Sequence, residues 1–190
     1  MENILEYRKG QYTCEVVASN DKSVTEIVIP ERYDGKRVVS IGEGAFSDCR
    51  YLTSITMPDT ITVIGAHAFQ CCECLKNVTL SKNLKKIEYL AFDGCYSLEN
   101  IELPFSIEKI DYMAFSECIG LKEIIIPLNT VMIGQQAFAD CKQLKSVIFR
   151  NDGWFLINND TGEEKHFDVS DANYMAEFLK NCDEAYWLLR

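Results

Sequence analysis

Apolar residues return at the same positions every 23 residues through the middle of the chain. The dipeptide Ala-Phe recurs with this spacing, and a cysteine stands three residues after each phenylalanine. Columns of leucine and isoleucine keep the period through five copies without an insertion or a deletion. Such a period indicates a repeat architecture, in which each unit buries its apolar edge against its neighbours. The predicted core columns are Phe46, Phe69, Phe92, Phe115, Phe138 and Cys49, Cys72, Cys95, Cys118, Cys141.

Within one unit the pattern predicts two short extended pieces and a compact corner. The segment LTSITMP (52–58) and its copies alternate apolar and polar residues, which is typical of a half-buried strand. Pro58 then ends the strand, because proline has no N–H to donate to a sheet. A second extended piece, ITVIG (61–65), leads into AHAFQCC (66–72), which predicts one or two turns of helix. Stacked units of this kind predict a solenoid with one continuous core.

The period predicts five to six coils over residues 24–150. A terminal coil of a solenoid exposes its core unless another element covers it. Residues 1–23 are therefore expected to form an N-terminal cap, and residues 151–190 a C-terminal cap made of a hairpin and a helix. A small separate effector domain at residues 151–190 is the alternative interpretation.

The C-terminal segment replaces the period with turn and helix signals. Ser170 is expected to cap a helix that runs from Asp171 to about Lys180. The final residues EAYWLLR are apolar enough to pack back on the solenoid, with Trp187 as their anchor.

The repeat resembles the leucine-rich repeat of the BspA-like type, which is found in many bacterial surface proteins. The unit L-x-x-I-x-L-P-x-x-I-x-x-I-G-x-x-A-F-x-x-C carries the resemblance, and residues 12–46 are similar to the opening module of that family. Ser81 departs from the pattern by replacing a proline, and Glu88 and Asp111 replace glycines. The resemblance implies an α/β solenoid, a right-handed leucine-rich repeat superhelix with parallel β-ladders, short helical turns and terminal caps.

The charge of the chain disfavours nucleic acid and anionic membranes as partners. It carries 19 basic and 29 acidic side chains, for a net charge of -10, and the basic residues are scattered. Phosphate binding needs concentrated Lys and Arg. No segment approaches the ~18 consecutive apolar residues of a membrane span, and the N-terminus has no signal-peptide pattern. The expected location is cytoplasmic, or the cell surface or exterior if a leader was removed.

Cysteine and histidine offer a possible chemical site. The column cysteines are expected to be buried and reduced, because a thiol is compact and largely apolar. Cys71 and Cys74 form a C-x-x-C at variable positions and are expected to face solvent. A zinc site needs four ligands, whereas the only histidines are His67 and His166 and no second C-x-x-C exists. A thiol or metal-binding role through Cys71 and Cys74 stays the less favoured alternative. No cofactor is expected, and the absence of catalytic motifs predicts that the protein is not an enzyme.

The outward surface of the strands is the remaining candidate for function. Its residues vary from coil to coil and become apolar towards the C-terminus, where Ile125 and Ile148, with Phe105 and Leu128, are expected to form an exposed patch. The pattern predicts a monomeric, non-enzymatic scaffold that binds another protein through a pre-ordered face. The alternative is a secreted or cell-surface adhesin that binds a host protein or glycan, which the resemblance implies for some members. The candidate partner-binding residues on the strands are Thr56, Thr79, Glu102, Ile125 and Ile148. Tyr89 and Tyr112, one coil apart, are a second candidate, since aromatic residues often anchor interfaces.

Overall fold

The chain folds as a solenoid of about six turns, which confirms the architecture that the 23-residue period predicts. Short strands from successive coils stack in parallel, and compact corners join them. Parts of both predicted caps, residues 1–3 and 182–184 among them, lie outside the described residues. The computed structural model describes residues 4–158, 161–166, 168–181 and 185–189.

The described part of the chain contains sixteen strands and one helix. Most strands are short because each coil turns a corner after only a few residues. In chain order the elements are β1 (Leu5–Lys9), β2 (Thr13–Ser19), β3 (Glu26–Val28), β4 (Arg32–Tyr33), β5 (Lys36–Ile41), β6 (Ser54–Thr56), β7 (Val63–Ile64), β8 (Asn77–Thr79), β9 (Lys86–Ile87), β10 (Lys109–Ile110), β11 (Glu123–Ile126), β12 (Met132–Ile133), β13 (Ser146–Phe149), β14 (Trp154–Asn158), β15 (Glu164–His166), α1 (Ala172–Asn181) and β16 (Ala185–Leu189).

One ladder runs unbroken through the coils. Strands β5, β7, β9, β10 and β12 pair in parallel, from the second extended piece of each unit. The register aligns one fully buried isoleucine from each coil, so the ladder and the core column coincide. These isoleucines are Ile41, Ile64, Ile87, Ile110 and Ile133.

A second ladder, formed by the first extended piece of each unit, is interrupted. Strands β3, β6 and β8 form one parallel sheet, and β11 pairs with β13 in another. The alternation predicts a strand in the intervening coil as well, but residues 100–103 form none. This prediction is wrong for that coil, because its backbone makes no ladder pairing with β8 or β11.

The corner around each Ala-Phe pair consists of hydrogen-bonded turns and not of helix. In the second coil, for example, the N–H groups of Ala68 and Cys72 donate to the carbonyls of Gly65 and Phe69. Two columns of the corner adopt a left-handed backbone, which prevents a right-handed helix from continuing. The expected helical turns are therefore absent from the corner. The left-handed columns are Gly44, His67, Leu90, Met113, Gln136 and Asp48, Cys71, Gly94, Glu117, Asp140.

The phenylalanine column forms a continuous stack through the core. All five rings are fully buried, and neighbouring centroids lie 5.0 to 5.6 Å apart with nearly parallel planes. Each cysteine of the next coil donates its S–H to a phenylalanine carbonyl, as Cys72 does to Phe46 at 3.2 Å. The same contact recurs from Cys95, Cys118 and Cys141 at 3.1 to 3.3 Å. The thiol thus fills the corner and satisfies a buried carbonyl.

The elements at the two ends extend the unbroken ladder. At the N-terminus, β1 and β2 form an antiparallel pair, and β2 pairs in parallel with β5. At the other end β16 pairs antiparallel with β12, and β14 and β15 follow it outward. The expected return of the C-terminus is visible in the backbone, where Trp187 pairs with Ile133. The Trp187 side chain lies outside what the structure describes.

Helix α1 begins one residue later than the sequence predicts. Its N-cap is Asp171 and not Ser170, because Oδ1 of Asp171 accepts the N–H groups of Asn173 and Tyr174 at 3.0 Å each. The helix packs against β13. Within the described residues, no helix is long and apolar enough to cross a membrane.

Candidate partner-binding face

The strand face is the outward surface of β3, β6, β8, residues 100–103, β11 and β13. Its central column comes from the strand residues that alternate with the buried column, since successive strand side chains point to opposite sides. Val28, Thr56 and Thr79 stand opposite one another in the first sheet, and Ile125 stands opposite Ile148 in the second. Glu102 occupies the same position in the unpaired coil and is exposed. The structure therefore aligns five of the seven predicted binding residues along one surface.

The C-terminal end of this surface is apolar. The apolar patch comprises Phe105, Ile125, Leu128 and Ile148. Phe105 is 64% exposed, Leu128 46% and Ile125 37%, while Ile148 is half-buried. Exposed side chains of this size in adjacent coils are typical of an interaction site.

The apolar patch continues into a cleft beside the C-terminal segment. The cleft has a volume of about 800 Å³ and runs between β13 and the residues that precede α1. Leu128 and Ile148 form part of its wall, and Arg150 and Asp168 add charge of both signs. Hydrogen bonds from Ser170 lower the pKa of the Asp168 carboxyl.

Charged residues flank the strand face in pairs that join neighbouring coils. Nζ of Lys122 lies 2.5 Å from Oε2 of Glu99 and lowers the pKa of that carboxyl. Both side chains are more than half exposed, so the pair adds little to stability. Lys76 lies close enough to contribute to the same pKa shift. The flank is thus polar and solvated, in contrast to the apolar patch.

The two predicted tyrosines belong to another surface. Tyr89 and Tyr112 follow β9 and β10 of the unbroken ladder, and their rings stack at 5.6 Å. Tyr89 is 39% exposed, whereas Tyr112 is half-buried and donates its hydroxyl to Oε1 of Gln136 at 2.9 Å. His67 extends the group, with its ring edge-on to Tyr89 at 4.9 Å. The sequence did not indicate that His67 joins this aromatic group, because His67 stands one position away from the tyrosine column in the repeat.

The column cysteines are fully buried in the core. Burial raises the pKa of Cys49, Cys72, Cys95 and Cys118. A raised pKa removes the thiolate, which is the form that attacks electrophiles and binds metals. All eight described cysteines are free, while Cys182 lies outside the described residues.

Cys71 and Cys74 differ from the column but do not form a site with other ligands. Cys74 is exposed and Cys71 is half-buried in the left-handed column. Burial, and then the carboxylates of Asp48 and Asp93, raise the pKa of the Cys71 thiol. Among the described residues, no three His, Cys, Asp or Glu side chains come together in an arrangement that could hold a metal. Nδ1 of His67 is hydrogen-bonded to Oε1 of Gln70 at 2.9 Å.

The 23-residue repeat matches a family model across most of the chain. The model of the BspA type leucine rich repeat region matches residues 19–159 with 6 copies. The chain belongs to the BspA-type leucine-rich repeat family. None of the curated proteins matches it at a significant level.

Solved structures of bacterial leucine-rich repeat proteins share the fold. The T. pallidum leucine-rich repeat protein is 32% identical over 76% of this chain and 68% of its own, with a TM-score of 0.74. A leucine-rich repeat protein from Bacteroides ovatus is 35% identical over 78% of this chain and 40% of its own, with a TM-score of 0.71. One from Bacteroides capillosus is 25% identical over 78% of this chain and 95% of its own, with a TM-score of 0.51.

Proposed function

We propose that the protein is a non-enzymatic scaffold that binds another protein through its strand face. The exposed apolar patch carries the proposal, because Ile125 and Ile148 lie on the aligned outward column and Phe105 and Leu128 lie just beyond the strand positions of adjacent coils. Leucine-rich repeat proteins generally bind other proteins. Phe105 and Leu128 provide most of the apolar contact with the partner, since their side chains are the most exposed of the patch.

The energetics favour such a surface. The unbroken ladder and the phenylalanine stack hold the coils in place before a partner arrives, so little backbone ordering opposes association. Covering each exposed apolar side chain of the patch contributes of the order of 1 kcal/mol. The polar flank supplies orientation more than affinity.

In this proposal residues 24–150 form the binding solenoid and the segments on either side act as caps. Trp154 supports the C-terminal assignment, because it is fully buried and its ring lies edge-on to Phe149 at 5.2 Å. The hairpin β1–β2 closes the first coil in the same way by pairing with β5. With both ends closed, the free protein is a monomer.

The test is affinity capture from the organism that encodes the protein, followed by binding of the purified candidate partner. The double variant Phe105→Lys/Leu128→Lys should weaken that purified complex at least about tenfold. Val131→Lys is the matched control, since Val131 is 45% exposed but lies beside β12 of the unbroken ladder. A partner that binds the double variant and the wild-type protein equally well would refute the assignment of the patch.

A further inference from the structure

The interruption of the second ladder leaves backbone groups unpaired between two neighbouring coils. In the coil before, the N–H of Met57 donates to the Thr79 carbonyl at 2.9 Å. The equivalent bond one coil later would join the N–H of Leu80 to the Glu102 carbonyl. Within residues 4–158, all of which are described, that bond does not form. Strand β8 therefore has a free edge on the side of residues 100–103.

The same break appears where the strand begins. The N–H of Asn77 donates back to the Thr53 carbonyl of the preceding coil at 3.0 Å. The corresponding bond from Asn100 to the Lys76 carbonyl is missing from this fully described stretch. The two coils remain joined elsewhere, for instance by the N–H of Ser97 and the Glu73 carbonyl at 3.1 Å. The separation is thus confined to the strand face.

The core is open at the same place. In the flanking coils the inward residues of this ladder are at most 3% exposed, as with Met57. Beside the break, Val78, Leu80 and Leu103 are only half-buried, and Ile101 retains 7% exposure. An apolar floor therefore lies between two unpaired backbone edges.

The opening has room for a short strand. We call it the strand gap; it is lined by residues 76–80, 82 and 99–104 and has a volume of about 710 Å³. A strand residue occupies about 160 Å³, from a rise of about 3.3 Å, a ladder spacing of about 4.8 Å and a layer depth of about 10 Å. The gap is therefore comparable in size to about four strand residues.

We propose that the strand gap accepts an extended segment of another polypeptide as an added β-strand. This rests on the proposed function, since it specifies the kind of protein partner that the strand face binds. The segment runs parallel to β8, places alternate apolar side chains on the floor of Val78 and Leu80, and pairs its backbone with the free edge. The outward residue that lies between Thr79 and Glu102 is neutral or basic, because the Glu102 carboxylate becomes its neighbour across the ladder.

The probe is an acetylated and amidated peptide with the sequence of residues 53–58, TSITMP. This sequence already pairs with the opposite edge of β8, where Ile55 stands opposite Val78. Titration into the ¹⁵N-labelled protein should shift the resonances of residues 76–82 and 99–104. At saturation the amide exchange of Leu80 should slow at least about tenfold. Exchange of the Met57 amide, which is already bonded, serves as the internal control.

Two altered peptides separate the backbone from the side-chain contribution. N-methylation at the position of Thr56 removes a donor that a parallel strand directs at β8, and should weaken binding at least about tenfold. Replacing Ile55 and Met57 of the peptide by threonine removes the apolar contacts and should weaken it comparably. The proposal would be overturned if both altered peptides bound as tightly as the original peptide. It would also be overturned if the bound peptide left the amide exchange rate of Leu80 unchanged.

Two further outcomes keep the inference distinct from the proposed function. Protection of the Leu80 amide that rises with protein concentration, without peptide, would assign the gap to a second copy of this chain and overturn the foreign strand. The Val131→Lys variant should bind the peptide with unchanged affinity, because Val131 lies beside β12 of the unbroken ladder and does not line the gap. If the peptide does not bind while a partner protein still binds in a way that depends on the apolar patch, the strand gap is refuted and the proposed function is not.

Discussion

The two ladders of the solenoid differ in how strictly they repeat. The ladder through β5, β7, β9, β10 and β12 pairs one buried isoleucine per coil without a break. The ladder of the strand face breaks between β8 and β11 and varies in its outward residues. The first ladder and the phenylalanine stack already hold each coil to the next. The second is therefore free to depart from regular pairing, and to present varied residues and an opening, without loss of the fold.

The largest expected effect comes from removing one ring of the stack. Phe92 lies between Phe69 and Phe115 with centroid distances of 5.0 and 5.2 Å and is fully buried. Phe92→Ala should lower the free energy of unfolding by about 3–5 kcal/mol. Glu102→Ala, on the strand face of the next coil, should be nearly silent. If urea unfolding shows the same loss of stability for both variants, the assignment of Phe92 to the core and Glu102 to the outward surface is contradicted.

Amide exchange in the free protein compares the two ladders directly. The N–H of Gly65 donates to the Ile41 carbonyl at 2.8 Å in the unbroken ladder, whereas the Leu80 N–H lacks its ladder bond. Under native conditions Leu80 should exchange at least about a hundredfold faster than Gly65. Residue-resolved exchange by NMR measures both rates, and equal protection would show that the second ladder is closed in solution.

The buried thiols predict a loss of stability at alkaline pH. Burial raises the pKa of Cys95 and Cys118 well above the ordinary thiol value. The unfolded chain ionises these thiols as pH passes about 8.5, while the folded protein keeps them protonated. The unfolded state then binds fewer protons, so the free energy of unfolding falls as pH rises. The loss is about 1 kcal/mol for each such thiol between about pH 8.5 and about pH 9.5.

Urea midpoints in the presence of a reductant, at the two ends of that range, measure this loss. Burial also raises the pKa of Tyr7 to about 12, which adds a loss of the same sign at higher pH. A Cys118→Ala variant isolates the contribution of one thiol. Its free energy of unfolding should fall less between the two pH values than that of the wild-type protein, because one buried thiol has been removed. Stability that rises across this range would contradict the burial of the column.

The smallest effect is expected at the two cysteines outside the column. Cys71→Ser/Cys74→Ser should change the free energy of unfolding by less than about 0.5 kcal/mol, since neither thiol is fully buried. The metal content of the purified protein should be the same in both forms. Zinc bound in stoichiometric amount by the wild-type protein and lost from the variant would replace the structural interpretation with a metal site.

The sequence predicted the architecture well because the same residues recur in the same roles. Phe69 and Cys72 could be assigned to the core from their columns alone, since only an inward position requires one residue type in every coil. The prediction of helical turns around these two residues was wrong, because the alternation and spacing of residues do not reveal the handedness of the backbone. Cys71 shows the limit: its left-handed φ of 58° is visible only in the structure.

The candidate site was predictable only in part. The outward column with Ile125 and Ile148 followed from strand alternation. Tyr89 and Tyr112, the second candidate, follow the other ladder, so the two candidates lie on different surfaces. No sequence signal marked the strand gap, since residues 100–103 keep the same alternation as the paired strands.

By itself, the sequence determined the period, the core columns and hence the solenoid, because a repeated apolar pattern has one way to bury every copy. The tertiary structure alone decided which coils hydrogen-bond along the strand face. Backbone pairing depends on how closely two coils approach each other, and the paired residues lie 23 positions apart in the chain. Such distances are set by the packing of the whole stack, and the residues of a single coil do not specify them.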